Sequence, residues 1–187
     1  GAKKWTSYRR LVTALHHREA DRVPFDLGGS MVTGINVRAL TALRQVLGLP
    51  GEAQVLDRVT QRAETGDDVR DRLRVDVRSV QPNAPGRAGL ARDLGWVGDH
   101  DRLIDEFGIG WQMPRHGGHY YDLYFSPLAD CRTVADIERY PWPDALDPAR
   151  IEGLKQRVDH VVEQERRGVV VERMHAGMWE HAMWMRG

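Results

Sequence analysis

The sequence predicts an α/β protein built from parallel βαβ units. Two observations predict it. Amphipathic helical patterns alternate with short apolar strand patterns along the chain. The most apolar strand pattern, Val169-Val170-Val171, follows directly on the longest helical pattern, as a buried parallel strand follows its crossover helix.

The elements follow in order. Residues 6–17 read as a helix, with Thr6 or Ser7 as N-cap and Leu11, Val12 and Leu15 on one face. Val23-Pro24-Phe25-Asp26-Leu27 is a short apolar run that Pro24 confines to a strand start or an edge, and Gly28-Gly29-Ser30 breaks it. Leu40, Leu43, Val46 and Leu47 recur at helical spacing, and Gly48 sits where a helix end wants a left-handed residue. Asp68 to Leu73 reads as a short charged helix, and residues 75–80 alternate like a strand. Residues 81–108 are rich in Pro, Gly and Asp and show no sustained period. Residues 109–113 and 119–125 read as two short strands around the turn 114–118. The whole of 81–125 is therefore expected as a loop-rich insert at one end of the sheet.

Thr133 to Glu138 opens a brief helix that Pro141-Trp142-Pro143 stops. The longest helix is expected from about Pro148 to Arg167, with Asp147 as cap and a buried stripe of Ile151, Leu154, Val158, Val161 and Val162. Gly168 ends it, residues 169–174 form a strand, and Met178 to Met185 a helix.

Composition narrows the function. Lys plus Arg (27) equals Asp plus Glu (27), which argues against a nucleic-acid binder, since such proteins need surplus cations for phosphates. No apolar run approaches the ~18 residues that a membrane helix needs, and the first five residues lack an apolar signal core, so the expected location is the cytoplasm. The single cysteine, Cys131, forbids an intramolecular disulfide and a Cys-rich zinc site within this chain.

Ligands of α/β proteins bind at the carboxyl ends of parallel strands, and three such places stand out. At the first, Asp26 precedes Gly28, Gly29 and Ser30, an acid beside a diglycine whose amides can approach a ligand; a structural turn explains the same residues. At the second, alternation sends either Glu172 or Arg173 into the interior. The pair then reads as a buried ion pair, or as an anion clamp by Arg173 with His175 transferring a proton. The third is the cluster His116, His119, Tyr120, Tyr121 and Asp122, which reads as an aromatic lid, a plain hairpin or, less fittingly with Gly117-Gly118 in the turn, a metal site.

Several runs resemble the uroporphyrinogen decarboxylase superfamily. They are Ala20-Asp21-Arg22-Val23-Pro24-Phe25-Asp26-Leu27-Gly28-Gly29-Ser30, Leu73-Arg74-Val75-Asp76, Asp105-Glu106-Phe107-Gly108-Ile109, Ser126-Pro127-Leu128-Ala129-Asp130, Tyr140-Pro141-Trp142-Pro143-Asp144, and Gly177-Met178-Trp179-Glu180 through Gly187. The resemblance is strongest to decarboxylase-like proteins related to corrinoid-dependent methyltransferases, and it covers essentially the whole chain. It implies a (β/α)8 barrel. Such barrels take about 250 residues or more, so 1–187 is expected to be the N-terminal part of one barrel domain, with 1–22 as its leading helix. Its two open sheet edges would let copies pair as a homodimer.

From the strand-end reading, a pocket is expected around Asp26, Arg173 and His175, which are the expected catalytic residues. Gly28, Gly29, Ser30, Asn83, His119, Tyr121, Trp179 and Glu180 are the expected substrate contacts. True decarboxylases of this superfamily carry arginines after the first strand and a later aspartate that stabilises a protonated pyrrole. Here the loop is Asp26 to Met31 without an arginine, and Asn83 stands where that acid is expected. An amide supplies no negative charge, which favours a small-molecule enzyme related to corrinoid-dependent methyl transfer. The alternatives are a genuine uroporphyrinogen decarboxylase of porphyrin biosynthesis, and a non-catalytic binding protein or inactive fragment. No cofactor is expected within this chain; zinc and a corrinoid partner are implied for the full-length protein.

Overall fold

The computed structural model describes residues 5–87, 89–172 and 176–187. Helix α1 (Ser7–Leu15) starts at Thr6, whose hydroxyl accepts from the Arg9 N–H at 3.1 Å. Helix α2 (Val37–Val46) is capped by Asn36, which accepts from the Arg38 N–H at 3.0 Å, and it ends at Gly48 with φ +68. A small antiparallel pair, β1 (Val55–Asp57) and β2 (Arg62–Ala63), precedes α3 (Asp67–Arg72). Acids in the first turn of α3 and arginines in its last complement the helix dipole. Strand β3 (Val77–Val80) follows.

Four antiparallel strands come next: β4 (Arg92–Val97), β5 (His100–Ile104), β6 (Gly110–Pro114) and β7 (Asp122–Phe125). Helix α4 (Val134–Glu138) begins with a reciprocal cap between Thr133 and Asp136. A 3-10 turn (Pro148–Ile151), α5 (Leu154–Asp159), a π turn (His160–Gln164), β8 (Gly168–Val171) and α6 (Met178–Arg186) complete the order. Among the described residues, no helix is long and apolar enough to cross a membrane.

The chain separates into two compact units. The first comprises residues 1–57, 62–83 and 151–174; the second comprises 58–61, 84–150 and 175–187. In the first, Leu40, Ala63 and Val69 are buried together, with Leu27, Ile35, Leu43, Leu47 and Leu73 packed around them. Beside this core, β3 and β8 pair in parallel from Val77–Gly168 to Val80–Val171. In the second unit, the sheet ordered β4-β5-β6-β7 lays Trp111 against Ile109, Tyr121, Leu128 and Met185 of α6.

The barrel expectation is overturned. Among the described residues the only parallel pairing is β3 with β8, and the other six strands pair antiparallel in sheets that do not close. Much of the reason lies in 81–108, which reads as a loop but contains a hairpin. Gly98, at φ +63, opens the two-residue turn Gly98-Asp99 that pairs Val97 with His100, a connection antiparallel strands favour. The expected 148–167 helix is also broken, because Gly153 sits at φ +67, which a right-handed helix cannot pass through.

The run 23–27 is not a strand either. Pro24 has no N–H and the Phe25 N–H donates to the Asp76 carboxylate at 2.9 Å, so only the Phe25 carbonyl remains to meet β3's approach, accepting from the Asp76 N–H at 2.8 Å.

Asp76 organises the first unit's N-terminal end. Its fully buried carboxylate accepts from Arg10 Nη1 at 2.6 Å and Arg22 Nη1 at 2.7 Å, besides the Phe25 N–H. Arg10 in turn donates through Nε and Nη2 to Asp21, each at 2.7 Å. Burial alone would push the Asp76 carboxyl up, but the Phe25 N–H, the Ser7 hydroxyl and the two guanidiniums hold it below its ordinary value. A carboxyl lowered on folding stabilises the native state above its unfolded value, about 3.9, and this is lost as pH falls through the folded value. Urea midpoints should therefore be level between about pH 5 and 7 and fall below about pH 4. That fall should be shallower in Asp76→Asn, and an identical acid profile in the variant would contradict this assignment.

Candidate functional site

The carboxyl end of β3, in the first unit, borders an open cavity whose exposed lining is mostly apolar. It spans about 420 Å³ and is lined by Ser79, Val80 and Gln81 from β3's end, and by Gln156, Arg157, His160 and Val161. Helix α5 supplies Gln156 and Arg157, and the π turn begins at His160. Such turns are unfavourable in isolation and recur at functional sites. Arg157 is anchored: its Nη2 donates to the Gln81 carbonyl and to Asn83 Oδ1, each at 3.0 Å, and its Nη1 to the Glu152 carbonyl at 3.2 Å. His160 is mostly exposed, with Nε2 3.8 Å from Glu165. The Ser79 hydroxyl is buried without a hydrogen-bond partner.

Gln81 ties this cavity to a buried charge cluster. Its Nε2 donates to Glu172 Oε2 at 2.7 Å, and Arg62 grips both Glu172 oxygens, Nη2 to Oε2 at 3.0 Å and Nη1 to Oε1 at 2.9 Å. Both charged side chains are over nine-tenths buried. Of the two readings for residues 172–173, Glu172 takes the buried ion pair; Arg173 and His175 lie outside the described residues.

The loop 26–34 packs on the same cluster. Its turn is held by Asp26 Oδ1 accepting from the Gly29 N–H at 2.9 Å and by the Gly28 N–H donating to the Thr33 carbonyl at 2.8 Å. The Ser30 N–H donates to Thr33 Oγ1 at 2.9 Å. Asp26 thus spends an oxygen on its own loop. A Cβ at Gly34 would strike the Arg62 stem, and Gly28, at φ +78, lies against Thr65, whose buried hydroxyl has no partner. A Cβ at Gly28 would stand 2.5 Å from Thr65 Oγ1. Gly28→Ala should therefore lower stability by about 1–3 kcal/mol through strain and overpacking, read as a urea-midpoint shift. Gly51→Ala, also at positive φ but with open space around it, should cost less.

The remaining expected contacts fall as follows. Asn83, in the first unit, uses its amide structurally: Nδ2 donates to the Glu152 carbonyl at 2.9 Å while Oδ1 accepts from Arg157. The second unit holds His119, Tyr121, Trp179 and Glu180. His119, Trp179 and Glu180 are exposed. Tyr121 is buried, its hydroxyl donating to Asp101 and accepting from Arg58 Nε at 2.9 Å, while Arg58 also grips Asp93 at 2.7 Å and Asp101 at 2.8 Å. Burial, then the hydrogen bond to Asp101, pushes the Tyr121 phenol up, which suits a structural clamp better than a proton donor.

The cavity residues that the sequence reading missed are Gln81, Gln156, Arg157 and His160, along with Arg62 behind it. Arg157 and His160 do carry a signal, their i,i+3 spacing on the expected 148–167 helix.

The arrangement can bind and orient a small ligand. Gln81 and Gln156 supply amides, Arg157 a fixed cation and His160 an imidazole suited to proton transfer. Among the described residues, no three His, Cys, Asp or Glu side chains come together as a metal site. No family model, curated protein or solved structure matches this chain.

Proposed function

We propose that this chain is the small-molecule-binding part of a cytoplasmic enzyme similar to the uroporphyrinogen decarboxylase-like proteins, on the branch related to corrinoid-dependent methyl transfer. Its ligand occupies the cavity at β3's carboxyl end, and any corrinoid is carried by a partner. The observation that carries this reading is that five polar side chains, Ser79, Gln81, Gln156, Arg157 and His160, line an open cavity at the carboxyl end of a parallel strand, where such strands present ligands. The ordered motifs supply the family reading. The volume, about 420 Å³, is at the small end of the ~300–1,000 Å³ range of ligand sites, and the mostly apolar lining suits a compact methylated compound. Asn83 argues the same way: it is neutral, and its amide already holds Glu152 and Arg157.

The test is chromatographic. Incubation with uroporphyrinogen should leave its carboxyl groups intact, and appreciable formation of coproporphyrinogen would overturn methyl transfer in favour of decarboxylation.

A further inference from the structure

The second unit contains a groove that the reading above does not use and on which it does not depend. It encloses about 590 Å³, with Pro85, Gly86, Arg87 and Gly89 on one side and Pro141-Trp142-Pro143-Asp144 on another, and with Glu106 and Asp147 completing the lining. Its aromatic wall is fixed in place. Trp142 Nε1 donates to the Ile137 carbonyl at 2.9 Å, and its ring meets Tyr140 edge-on with centroids 5.1 Å apart. The Trp142 N–H donates to the Tyr140 carbonyl at 2.8 Å, and the prolines on either side restrict the backbone. The residue nevertheless stays 45% exposed.

Because the indole N–H is already bonded, Trp142 can offer a ligand only its ring face. Such a face holds flat groups and, more selectively, cations. The charges around it favour a cation. Three carboxylates, Glu106, Asp144 and Asp147, face the groove against one guanidinium, Arg87; the buried Arg150 pairs with Glu106. One negative charge is left over. Asp147 accepts from the Gly86 N–H at 2.7 Å and the Ala149 N–H at 2.9 Å, while Asp144 uses Oδ1 to accept from the Leu146 N–H at 2.8 Å.

We propose that this groove binds an organic cation of the quaternary ammonium class, its alkylated head on the Trp142 ring and its charge balanced by Asp144. The fixed ring and the loop-bound carboxylate are in place before the ligand arrives, which limits the ordering cost of binding.

The probe is choline, set against its neutral carbon isostere, in which carbon replaces the charged nitrogen. Binding is read from the indole N–H resonance of Trp142, assigned by its disappearance in Trp142→Phe. Choline should shift that resonance saturably, more weakly as salt rises, and the isostere should not. Asp144→Asn keeps an oxygen for the Leu146 N–H, so it should remain as stable as the parent while choline binds severalfold more weakly. Equal titration by the isostere, undiminished choline affinity in Asp144→Asn, or no saturable shift at the highest soluble choline would each overturn the proposal.

Discussion

Truncating Asp76 to alanine is expected to destabilise the protein by about 3–5 kcal/mol, the cost of breaking a buried ion pair from one side. The carboxylate is fully buried, and its removal strips partners from Arg10, whose side chain is 9% exposed, and from the Phe25 N–H. Arg10 would keep only Asp21. Native domains hold about 5–15 kcal/mol in total, so this one change approaches the limit of folding. Arg22 provides the control. Its side chain is 39% exposed on the same carboxylate, and Arg22→Ala should cost about 1 kcal/mol or less, as exposed pairs do. Denaturant melts of both variants check this, and equal losses would show that burial does not decide the effect.

The second large effect is at Glu172. Glu172→Ala leaves Arg62 buried and unpaired and releases Gln81, and should also cost about 3–5 kcal/mol. Replacing both partners by methionine should recover most of that, because an apolar pair of similar volume avoids the desolvation that two buried charges incur. The coupling, read from a double-mutant cycle in urea, should therefore be large and favourable to the double variant. Two additive losses would mean that Arg62 and Glu172 do not act as a pair. Urea melts of Glu172→Met and of Arg62→Met alone complete the cycle.

How much of this was legible depended on how locally each feature is encoded. The caps at Thr6, Thr133 and Gly48 were readable because a cap is a contact within three or four residues. The strand at 77–80 is readable from its alternation and that at 168–171 from its apolar run, but their register with each other joins residues about ninety positions apart. The hairpin of β4 and β5 escaped notice because bulged Asp93–Gly95 and the charges at Arg92, Asp101 and Arg102 blur its alternation. Gly98-Asp99 is a turn signal inside a stretch that otherwise reads as loop. Among site residues, Glu172 stood out because a charge ended an apolar strand; Arg62 and Gln81, its partners, come from 110 and 91 positions away and had no sequence mark. Asp26 precedes a diglycine, and one of its oxygens closes that turn, a local contact that the spacing makes legible.

The central claim, that the cavity at β3's carboxyl end is the ligand site, is tested most directly by heteronuclear NMR of the chain with neutral methyl compounds, thioethers and methoxyarenes. Saturable shifts are expected at the amides of Ser79, Gln81, Arg157 and His160, weakened severalfold in His160→Ala, whose exposed side chain leaves stability unchanged. A folded protein in which none of these resonances moves, or in which His160→Ala binds as well as the parent, would contradict it.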